Sequence, residues 1–246
     1  MLSKAQNKHI RSLTQQKFRN ENKLFIAEGG KIALEWLNSG RHINTIITTA
    51  EWAQEHSAAI SKHPEAAFHV VQEHELLSLS ALHTPNQVLL VIPYPASEAI
   101  PVANEWYIAL DDIQDPGNMG TIIRIADWFG IRNIVCSPGC VDVYNPKVVQ
   151  SSMGGHIRVK LFESDLVQFL EKTPLPKIAA TLHGQNVYTI DKPQAGVLII
   201  GNESKGVSEK VMGMATQKVT IPRKGGAESL NAGVSAGILC ALLTMG

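Results

Sequence analysis

The amino-acid sequence predicts an α/β protein built from two domains, and three observations carry this prediction. The length of 246 residues allows one large domain or two ordinary ones. In the second half, strand-like runs alternate with helix candidates, which is typical of a mostly parallel sheet covered on both faces. The stretch PYPASEAIPVANE has three prolines and no apolar periodicity, which indicates a linker. We therefore expect domains at 1–97 and 105–246, joined by a linker at 98–104.

Composition narrows the class of protein. Hydrophobic residues make up 44% of the chain and charged residues 18%, as in an ordinary globular protein. No apolar run approaches the roughly 18 residues of a membrane span, and the start, MLSKAQNKHIRSL, is too polar for a signal peptide. Three cysteines, an odd number, argue against a disulfide framework and for a reducing compartment. We expect a cytoplasmic enzyme or binding protein, with no membrane partner.

Charge is distributed unevenly although the formal net charge is zero. Within residues 1–23 the only acidic residue is Glu21, whereas the basic ones are Lys4, Lys8, Arg11, Lys17, Arg19 and Lys23. A basic helical arm of this kind can neutralise nucleic-acid phosphates. A solvated amphipathic helix explains the same pattern equally well.

The first half indicates a small α/β unit that ends near Tyr94. Apolar residues in GGKIALEWL have helical spacing, and Asn38-Ser39-Gly40 is typical of a helix end. A second helix is predicted in EWAQEHSAAISKH. INTIITT, FHVVQ and QVLLVIPY are β-branched or apolar and predict strands.

The second half alternates more regularly. Strands are predicted at WYIALDDI, RNIVCS, VKLFE, KIAATL, GVLIIGNE and KVTIP. In open parallel sheets, ligands bind in the loops at the carboxyl ends of the strands. The residues that follow three of these strands are therefore the candidates for chemistry.

The first loop lies in DDIQDPGNMGTIIRIADWFGI. Asp-Pro-Gly-Asn is turn chemistry, and a helix is predicted to begin near Met119. The apolar face of this helix leaves Arg124 beside the buried stripe, near the ligand end. Arg124 is a candidate functional residue, and a salt-bridging surface arginine is the alternative.

The second loop follows the strand in GVLIIGNESKGVS. It places Gly201, Asn202 and Glu203 at the strand end, with Gly206 next and a new helix capped by Ser208. A carboxylate and an amide beside glycine suit a polar ligand that backbone groups approach closely.

The third loop lies in IPRKGGAESLNAGVSAGILC, where Ser229 or Asn231 can cap a helix of small residues. The letters GVSAG match the G-x-S-x-G pattern of hydrolases around Ser235. That serine is predicted inside a helix rather than at a strand-to-helix turn, which argues against a nucleophile. Cys136 and Cys140 form a C-x3-C pair without a second pair at zinc-like spacing, so we expect structural thiols and no metal.

These loops are similar to the three ordered motifs of the SpoU/TrmH family of S-adenosylmethionine-dependent RNA ribose 2'-O-methyltransferases, in the SPOUT superfamily. DPGNMGTIIRIADWFG, IIGNESKGVS and IPRKGGAESLNAGVSAGI resemble the motifs in order, and the similarity covers about residues 106–246. KFRNENKLFIAEGGKIALEWL and HTPNQVLLVI resemble the opening and closing segments of the family's substrate-binding domain. The resemblance implies a deep C-terminal trefoil knot, a rare exception to chain topology rules, and a front domain like ribosomal protein L30e.

The resemblance also implies roles for individual residues. Catalytic or pocket-forming roles fall to Asn118, Arg124, Glu203, Ser229 and Asn231. Cofactor contacts correspond to Leu182, His183, Gly201, Asn202, Ile221, Leu230 and Asn231. Where the family often has a hydrophobic residue or methionine after Ile-Pro, this chain has Arg-Lys-Gly-Gly, a basic loop that could reach RNA. The candidate RNA contacts are Lys17, Arg19, Arg223 and Lys224.

The implied activity is methylation of a ribose 2'-hydroxyl in RNA, with S-adenosylmethionine as the cofactor. The large front domain favours ribosomal RNA, and tRNA is the alternative substrate; a non-catalytic RNA-binding protein is the alternative class. In descriptions of the family, the arginine that corresponds to Arg124 is often the general base of the reaction. A guanidinium stays protonated far above neutral pH, so an electrostatic role for Arg124, with RNA phosphate or water taking the proton, is equally compatible. A homodimer through the knotted domain is also implied.

Overall fold

The computed structural model describes residues 2–80, 86–101 and 103–245. The first elements are α1 (Lys4–Ser12), α2 (Gln16–Asn22), β1 (Leu24–Glu28), α3 (Gly30–Asn38), β2 (Thr45–Thr48), α4 (Ala50–Glu55), α5 (Ser57–Ile60), β3 (Ala67–Val70), α6 (Glu73–Leu79) and β4 (Val88–Pro93). They are followed by β5 (Trp106–Asp111), α7 (Pro116–Trp128), β6 (Asn133–Cys136), α8 (Pro146–Ser152), β7 (Lys160–Glu163), α9 (Leu166–Lys172), β8 (Lys177–Asn186), β9 (Gly196–Gly201), α10 (Glu209–Gly213), β10 (Gln217–Thr220) and α11 (Ala232–Thr244). The letters HTP of HTPNQVLLVI and Val102 of the expected linker lie outside the described residues.

The chain forms two compact units. The first consists of Met1–Ser97 together with Tyr144–Ile157, and the second of Glu98–Val143 and Arg158–Gly246. Helix α8 thus groups with the first unit, although its sequence lies inside the range expected for the second domain. A helix that lies between two strands in the sequence need not pack on their sheet, because its apolar side chains can pack on another surface. Hydrophobic periodicity alone does not predict which surface they contact.

The first unit contains a sheet with the strand order β1-β4-β2-β3 in its described part. β4 pairs antiparallel with both β1 and β2, while β3 pairs parallel with β2. The predicted strands and the helix ending at Asn38 are present, but β1 was not predicted. Its letters LFIAE run directly into the helical pattern of α3, which conceals the strand. Phe25 of β1 packs against Trp36 of α3 and against Tyr144, at ring-centroid distances of 5.7 and 4.8 Å.

The basic arm folds as two helices, α1 and α2. A capping box at Ser3 and Gln6 begins α1, which satisfies backbone donors at the helix start. Ile10 and Leu13 are buried in a core cluster with residues of α6, β1 and β4. The arm is therefore an integral part of the first unit, with an apolar side facing inward and most of its lysines exposed.

In the described part of the second unit, six strands form one sheet in the order β10-β8-β9-β5-β6-β7, and all paired strands are parallel. The mostly parallel α/β architecture predicted from the alternation is confirmed. Strand β8 is longer than expected and irregular: Lys218 of β10 pairs with Ala179, whereas Val219 pairs with Gln185. Helices α7 and α11 pack together. The trefoil knot stays a prediction.

None of the helices in the described residues is long and apolar enough to cross a bilayer.

Candidate active site

The candidate site lies at the carboxyl edge of the second unit's sheet. Strands β10, β8, β9 and β5 are consecutive neighbours and parallel, so their carboxyl ends lie side by side. The loops after β5, β9 and β10 hold the three groups of polar residues predicted from the sequence. Sheet order therefore brings together stretches that are separated by about a hundred positions in the chain.

Asn118 links the three loops through its side-chain amide. Its Nδ2 donates to Oε1 of Glu203 at 2.7 Å, and its Oδ1 accepts from Nδ2 of Asn231 at 2.7 Å. Asn118 lies in the first turn of α7 and is 8% exposed. We call Asn118, Glu203 and Asn231 the polar network. Both ends of one amide are thus used to hold a carboxylate on one side and a second amide on the other.

Asn231 also caps α11. Its Oδ1 accepts from the backbone N–H groups of Gly233 and Val234 at 2.9 and 3.2 Å. The sequence left Ser229 and Asn231 as alternatives for this cap, and the structure assigns it to Asn231. Ser229 is exposed in the loop before the helix. Because its amide is engaged at both ends, Asn231 joins the start of α11 to the start of α7.

The loop after β9 is held by Asn202 and by close backbone packing. Asn202 donates to the carbonyl oxygen of Asp112 at 2.8 Å and accepts from the N–H groups of Ser204 and Lys205. At Gly201, a Cβ atom would lie 2.2 Å from a backbone carbon of Gly206, so only glycine fits. Glu203 is therefore presented by a turn that the chain itself stabilises.

Three positions of the site were missed by the sequence reasoning. Asp111 is 7% exposed and accepts from the N–H of Ser208 at 2.8 Å, which ties the end of β5 to the loop after β9. Asp115 caps α7 by accepting from the N–H of Asn118 at 2.8 Å. At Gly184, a Cβ atom would lie 2.6 Å from a backbone carbon of Val219, where β8 and β10 approach each other. The signals for the first two were an aspartate at the end of an apolar strand and an aspartate directly before the Pro-Gly that begins a predicted helix.

Arg124 lies in the middle of α7 with its side chain exposed. Its guanidinium forms no hydrogen bond or ion pair with any residue in the described part of the chain, so the alternative of a salt-bridging surface arginine finds no partner there. Its charge is available to a ligand.

The expected cofactor residues lie in the irregular stretch of β8 and at or after the carboxyl ends of β9 and β10. Residues 180–184 of β8 leave the regular pairing with β10, and in this irregular stretch Leu182 is 62% exposed with His183 exposed beside it. Leu230 is 47% exposed, and Ile221 and Gly201 are half-buried. Exposed apolar side chains next to strand-end backbone groups fit S-adenosylmethionine, whose adenine ring needs an apolar surface and whose polar groups need a few directed partners.

The candidate RNA contacts differ in how accessible they are. Lys17 is exposed, as are Arg223 and Lys224, and Arg223 donates to the carbonyl oxygen of Ala227 at 2.9 Å. Arg19 is different: it is 2% exposed, and its Nη1 donates to the carbonyl oxygens of residues 13 and 14 at 2.9 and 2.8 Å. The prediction that Arg19 contacts RNA is therefore corrected, because its guanidinium is occupied inside the first unit.

The remaining sequence candidates fall outside the network. Ser235 lies within α11, as predicted. Cys136 is buried and Cys140 half-buried. A hydrogen bond between the two thiols raises the pKa of Cys136 and lowers that of Cys140, and burial raises the pKa of Cys240 to about 12. The described residues contain no group of three or more His, Cys, Asp or Glu arranged to hold a metal ion.

Known protein families resemble both halves of the chain. Residues 105–241 match the model of the SpoU rRNA Methylase family, and residues 4–90 match the model of the MRM3-like substrate binding domain. The chain is 27% identical over 247 residues to the 23S rRNA (guanosine(2553)-2'-O)-methyltransferase RlmP of Bacillus subtilis, covering 97% of this chain and 96% of the relative.

Solved structures extend the likeness to the whole chain. A TrmH-family protein of Porphyromonas gingivalis superposes with a TM-score of 0.90 at 35% identity, covering 100% of this chain and 99% of the other. An rRNA methyltransferase of Sinorhizobium meliloti, crystallised with AdoMet bound, gives a TM-score of 0.87 at 28% identity, covering 100% and 97%. The resemblance in three ordered motifs is confirmed over more than half of the chain, and this protein belongs to the SpoU rRNA methylase family.

Proposed function

We propose that this protein transfers a methyl group from S-adenosylmethionine to the 2'-hydroxyl of a ribose in ribosomal RNA. The observation that carries the proposal is the polar network, in which one amide joins residues from all three motifs at a single sheet edge. Membership of an RNA methyltransferase family supplies the reaction class. The network supplies the local reason why those motifs have to coexist.

The residues of the site divide the work. When bound, S-adenosylmethionine supplies a methyl group activated by a sulfonium. Leu182, Ile221 and Leu230 offer the apolar surface that would hold its adenosine. The network holds the loops after β5, β9 and β10 at fixed positions relative to one another. The cofactor-binding surface and the RNA-binding residues of these loops therefore need little rearrangement when the ligands bind.

Arg124 is the residue that acts on the RNA. Its guanidinium remains protonated at neutral pH and can stabilise the negative charge that develops on the 2'-oxygen as its proton leaves. Arg124 can also orient the adjacent phosphate through two parallel hydrogen bonds. The proton passes to water or to an RNA phosphate.

Ribosomal RNA is proposed as the substrate because the front unit matches a substrate-binding domain named after a mitochondrial rRNA methyltransferase, and because the full-length bacterial relative is an rRNA enzyme by name. We further propose that the protein acts as a homodimer and that it works in the cytoplasm. Free thiols at Cys136, Cys140 and Cys240 suit a reducing compartment.

The test is incubation of the purified protein with radiolabelled S-adenosylmethionine and unmodified transcripts of ribosomal RNA, with tRNA transcripts in parallel. A 2'-O-methyl group prevents alkaline cleavage at its own nucleotide, because the 2'-oxygen can no longer attack the phosphate. We expect label in ribosomal RNA, recovered in an alkali-resistant dinucleotide.

Other outcomes would change the proposed substrate, the proposed chemistry or the proposed activity. Label only in tRNA would replace the substrate and keep the chemistry. Label that alkali releases as a mononucleotide would mean base methylation. Absence of label in every RNA, with the cofactor bound, would overturn the proposed activity. Light scattering of the same preparation measures the mass, and a monomer at assay concentration would contradict the dimer.

A further inference from the structure

In the first unit, helix α3 begins with two glycines and without a capping side chain. Gly29 has a φ of +93°, which residues with a Cβ rarely adopt, and it turns the chain from β1 into the helix. The backbone N–H groups of Gly30 and Lys31 have no acceptor within the helix, and they donate to no other residue that the structure describes. The start of α3 therefore presents free donors together with the positive end of the helix dipole.

The indole of Trp52 adds another donor beside these groups. A Cβ atom on Gly30 would lie 3.3 Å from Nε1 of Trp52, so this N–H group borders the first turn of α3. Trp52 is 3% exposed, yet its Nε1 donates to no residue in the described ranges. Among the described tryptophans, Nε1 of Trp36 is sealed from solvent without a partner, whereas Nε1 of Trp52 is not sealed. An almost completely buried side chain thus keeps its one polar group free at the start of the helix.

Helix α8 of the same unit supplies a side-chain amide. A Cβ atom on Gly29 would lie 3.9 Å from Nε2 of Gln150, a half-buried residue whose amide has no hydrogen-bond partner in the part of the chain that the structure describes. Lys31 is exposed, and its ammonium group forms no ion pair there either. We call Gly30, Lys31, Trp52 and Gln150 the donor cluster. Apart from the amide oxygen of Gln150, its unbonded polar groups are all donors, and its one charge is positive.

The carboxylate that precedes the two glycines in the sequence, that of Glu28, lies on the other face of the sheet. Ile26 of β1 packs in the cluster that contains residues of α1 and α6, whereas Ala27 packs in the cluster that contains α3. Because side chains alternate along a strand, Glu28 shares the face of Ile26. Its carboxylate accepts from Nδ2 of Asn86 at 3.0 Å. The negative charge of Glu28 is therefore bonded on the face of the sheet that does not carry α3.

We propose that the donor cluster binds a backbone phosphate of the substrate RNA. The inference rests on the proposed function and names the groups of the first unit that hold the RNA. A phosphate diester carries its negative charge on oxygens that only accept hydrogen bonds, which matches free N–H groups at a helix start beside an ammonium group. Phosphate contacts position a nucleic acid without reading its sequence. The donor cluster therefore fixes where the RNA lies on the first unit and leaves the choice of nucleotide to other residues.

Heteronuclear NMR of the indole N–H groups detects this contact without any methyl transfer. Each of the four tryptophans gives one indole signal, and Trp52→Phe identifies the signal of Trp52. The probe is a short single-stranded oligoribonucleotide of mixed sequence, added to the full-length protein. We expect the signal of Trp52 to move downfield as its N–H donates to a phosphate oxygen, while that of Trp36, which is sealed from solvent, stays in place. The same oligonucleotide with uncharged methylphosphonate linkages should leave both signals unchanged.

Gly30→Ala fills the site and removes none of its donors. The new methyl group would lie 3.3 Å from Nε1 of Trp52, in the space of a phosphate oxygen, whereas alanine is the better helix former and should not lower stability in urea. We expect RNA binding to weaken and the KM for RNA to rise about tenfold, with kcat little changed, because hydrogen bonds to a charged group are lost. Gly213→Ala, at the end of α10 with open space around it, is the matched control and should change neither value.

Inorganic phosphate separates RNA from a free ion as the source of the phosphate group. Movement of the Trp52 signal with inorganic phosphate and none with RNA would assign the donor cluster to a free anion and overturn the inference. RNA binding with an unmoved Trp52 signal, together with an unchanged KM in Gly30→Ala, would overturn it as well. Failure of the proposed function appears separately: the wild-type protein would transfer no methyl group, whereas the NMR measurement needs no cofactor and would still report the phosphate contact.

Discussion

Asn118 of the polar network and the outer face of α7, which carries Thr121, Arg124 and Trp128, lie on the same helix but obtain their hydrogen-bond and charge partners from different sources. Asn118, in the first turn, is nearly buried and bonds to Glu203 and Asn231 at 2.7 Å each. Arg124 and Trp128, farther along, are exposed, and Arg124 has no partner in the described residues. Asn118 is thus held by the neighbouring loops, whereas the guanidinium of Arg124 has no such partner in the part of the chain that the structure describes.

This difference separates the frame of the site from the groups that meet the substrate. A residue of the frame is bonded before any ligand arrives, so its loss should lower both stability and activity. A residue of the outer face contributes nothing to the folded chain alone, so its loss should lower activity and leave stability unchanged. Substitutions of residues in the frame and on the outer face test this distinction.

Arg124→Ala is expected to have the largest effect. Removal of a single charged group that stabilises developing negative charge typically costs about a hundredfold or more in kcat. An exposed residue without partners should change the free energy of unfolding by no more than about 0.5 kcal/mol. Methyl transfer to ribosomal RNA and urea unfolding measure the two quantities on the same preparation.

The matched control for Arg124→Ala is Lys172→Ala, which removes an exposed positive charge from α9 in the same unit. It should behave as wild type in both measurements. A large loss of stability in Arg124→Ala would place that arginine in the frame. Full activity in the same variant would remove it from the reaction.

Asn118→Ala should lower both quantities. The substitution removes the hydrogen bonds to the carboxylate of Glu203 and to the amide of Asn231, and each such bond contributes about 0.5–1.5 kcal/mol because both partners are exposed and can bond to water instead. Because the three loops lose their common link, kcat should also fall, by about tenfold or more. Gln168→Ala removes an exposed amide from α9 and is the control. A variant with intact stability and reduced activity would show that Asn118 acts on the substrate rather than on the loops.

Much of the architecture could be predicted, because it follows from local patterns of apolar and polar residues in the sequence. Alternating apolar strands and helices predicted the parallel sheet of the second unit, and parallel strands bring their carboxyl ends together, so Asn118, Glu203 and Asn231 could be expected at one edge. The three ordered motifs made the family recognisable. What the pattern left open was the choice of cap between Ser229 and Asn231, since either side chain can accept from a helix start.

The errors arose at residues whose structure depends on tertiary packing rather than on the local sequence pattern. Strand β1 was concealed because LFIAE continues into the periodic apolar residues of α3. Arg19 was assigned to RNA because it belongs to a run of basic residues, yet its guanidinium satisfies two buried carbonyl oxygens. Charge counts do not distinguish a lysine on the surface from an arginine that closes a turn. Asp111 was missed for the converse reason, since its partner Ser208 lies 97 positions away.

The basic arm repeats the same comparison on a smaller scale. Arg19→Ala should destabilise the first unit by about 1–3 kcal/mol, because the carbonyl oxygens of residues 13 and 14 lose a charged donor. Lys17→Ala should leave unfolding unchanged, because its contact with Glu21 is an exposed pair at 4.0 Å. Urea unfolding of both variants checks this. Equal stabilities of the two variants would mean that Arg19 behaves as a surface residue and does not stabilise the first unit.

The smallest effect is expected from the basic loop that follows β10. Arg223 and Lys224 are exposed, and Arg223 donates to the carbonyl oxygen of Ala227, whereas the ammonium group of Lys224 has no partner among the residues that the structure describes. If both contact phosphates of a single strand, each should contribute about 0.7 to the slope of log affinity against log salt concentration. The double variant Arg223→Ala, Lys224→Ala should therefore lower that slope by about 1.4 and weaken RNA binding several-fold at low salt.

Salt dependence distinguishes a phosphate contact from a structural role, because a merely loosened loop would weaken binding equally at every salt concentration. Lys172→Ala combined with Lys210→Ala removes two exposed charges from other helices of the second unit and controls for net charge. An unchanged slope in the Arg223→Ala, Lys224→Ala variant would assign this loop to the frame. Its difference from the family's usual hydrophobic sequence would then concern how the loop folds, and the proposed contact with RNA in this unit would rest on Arg124.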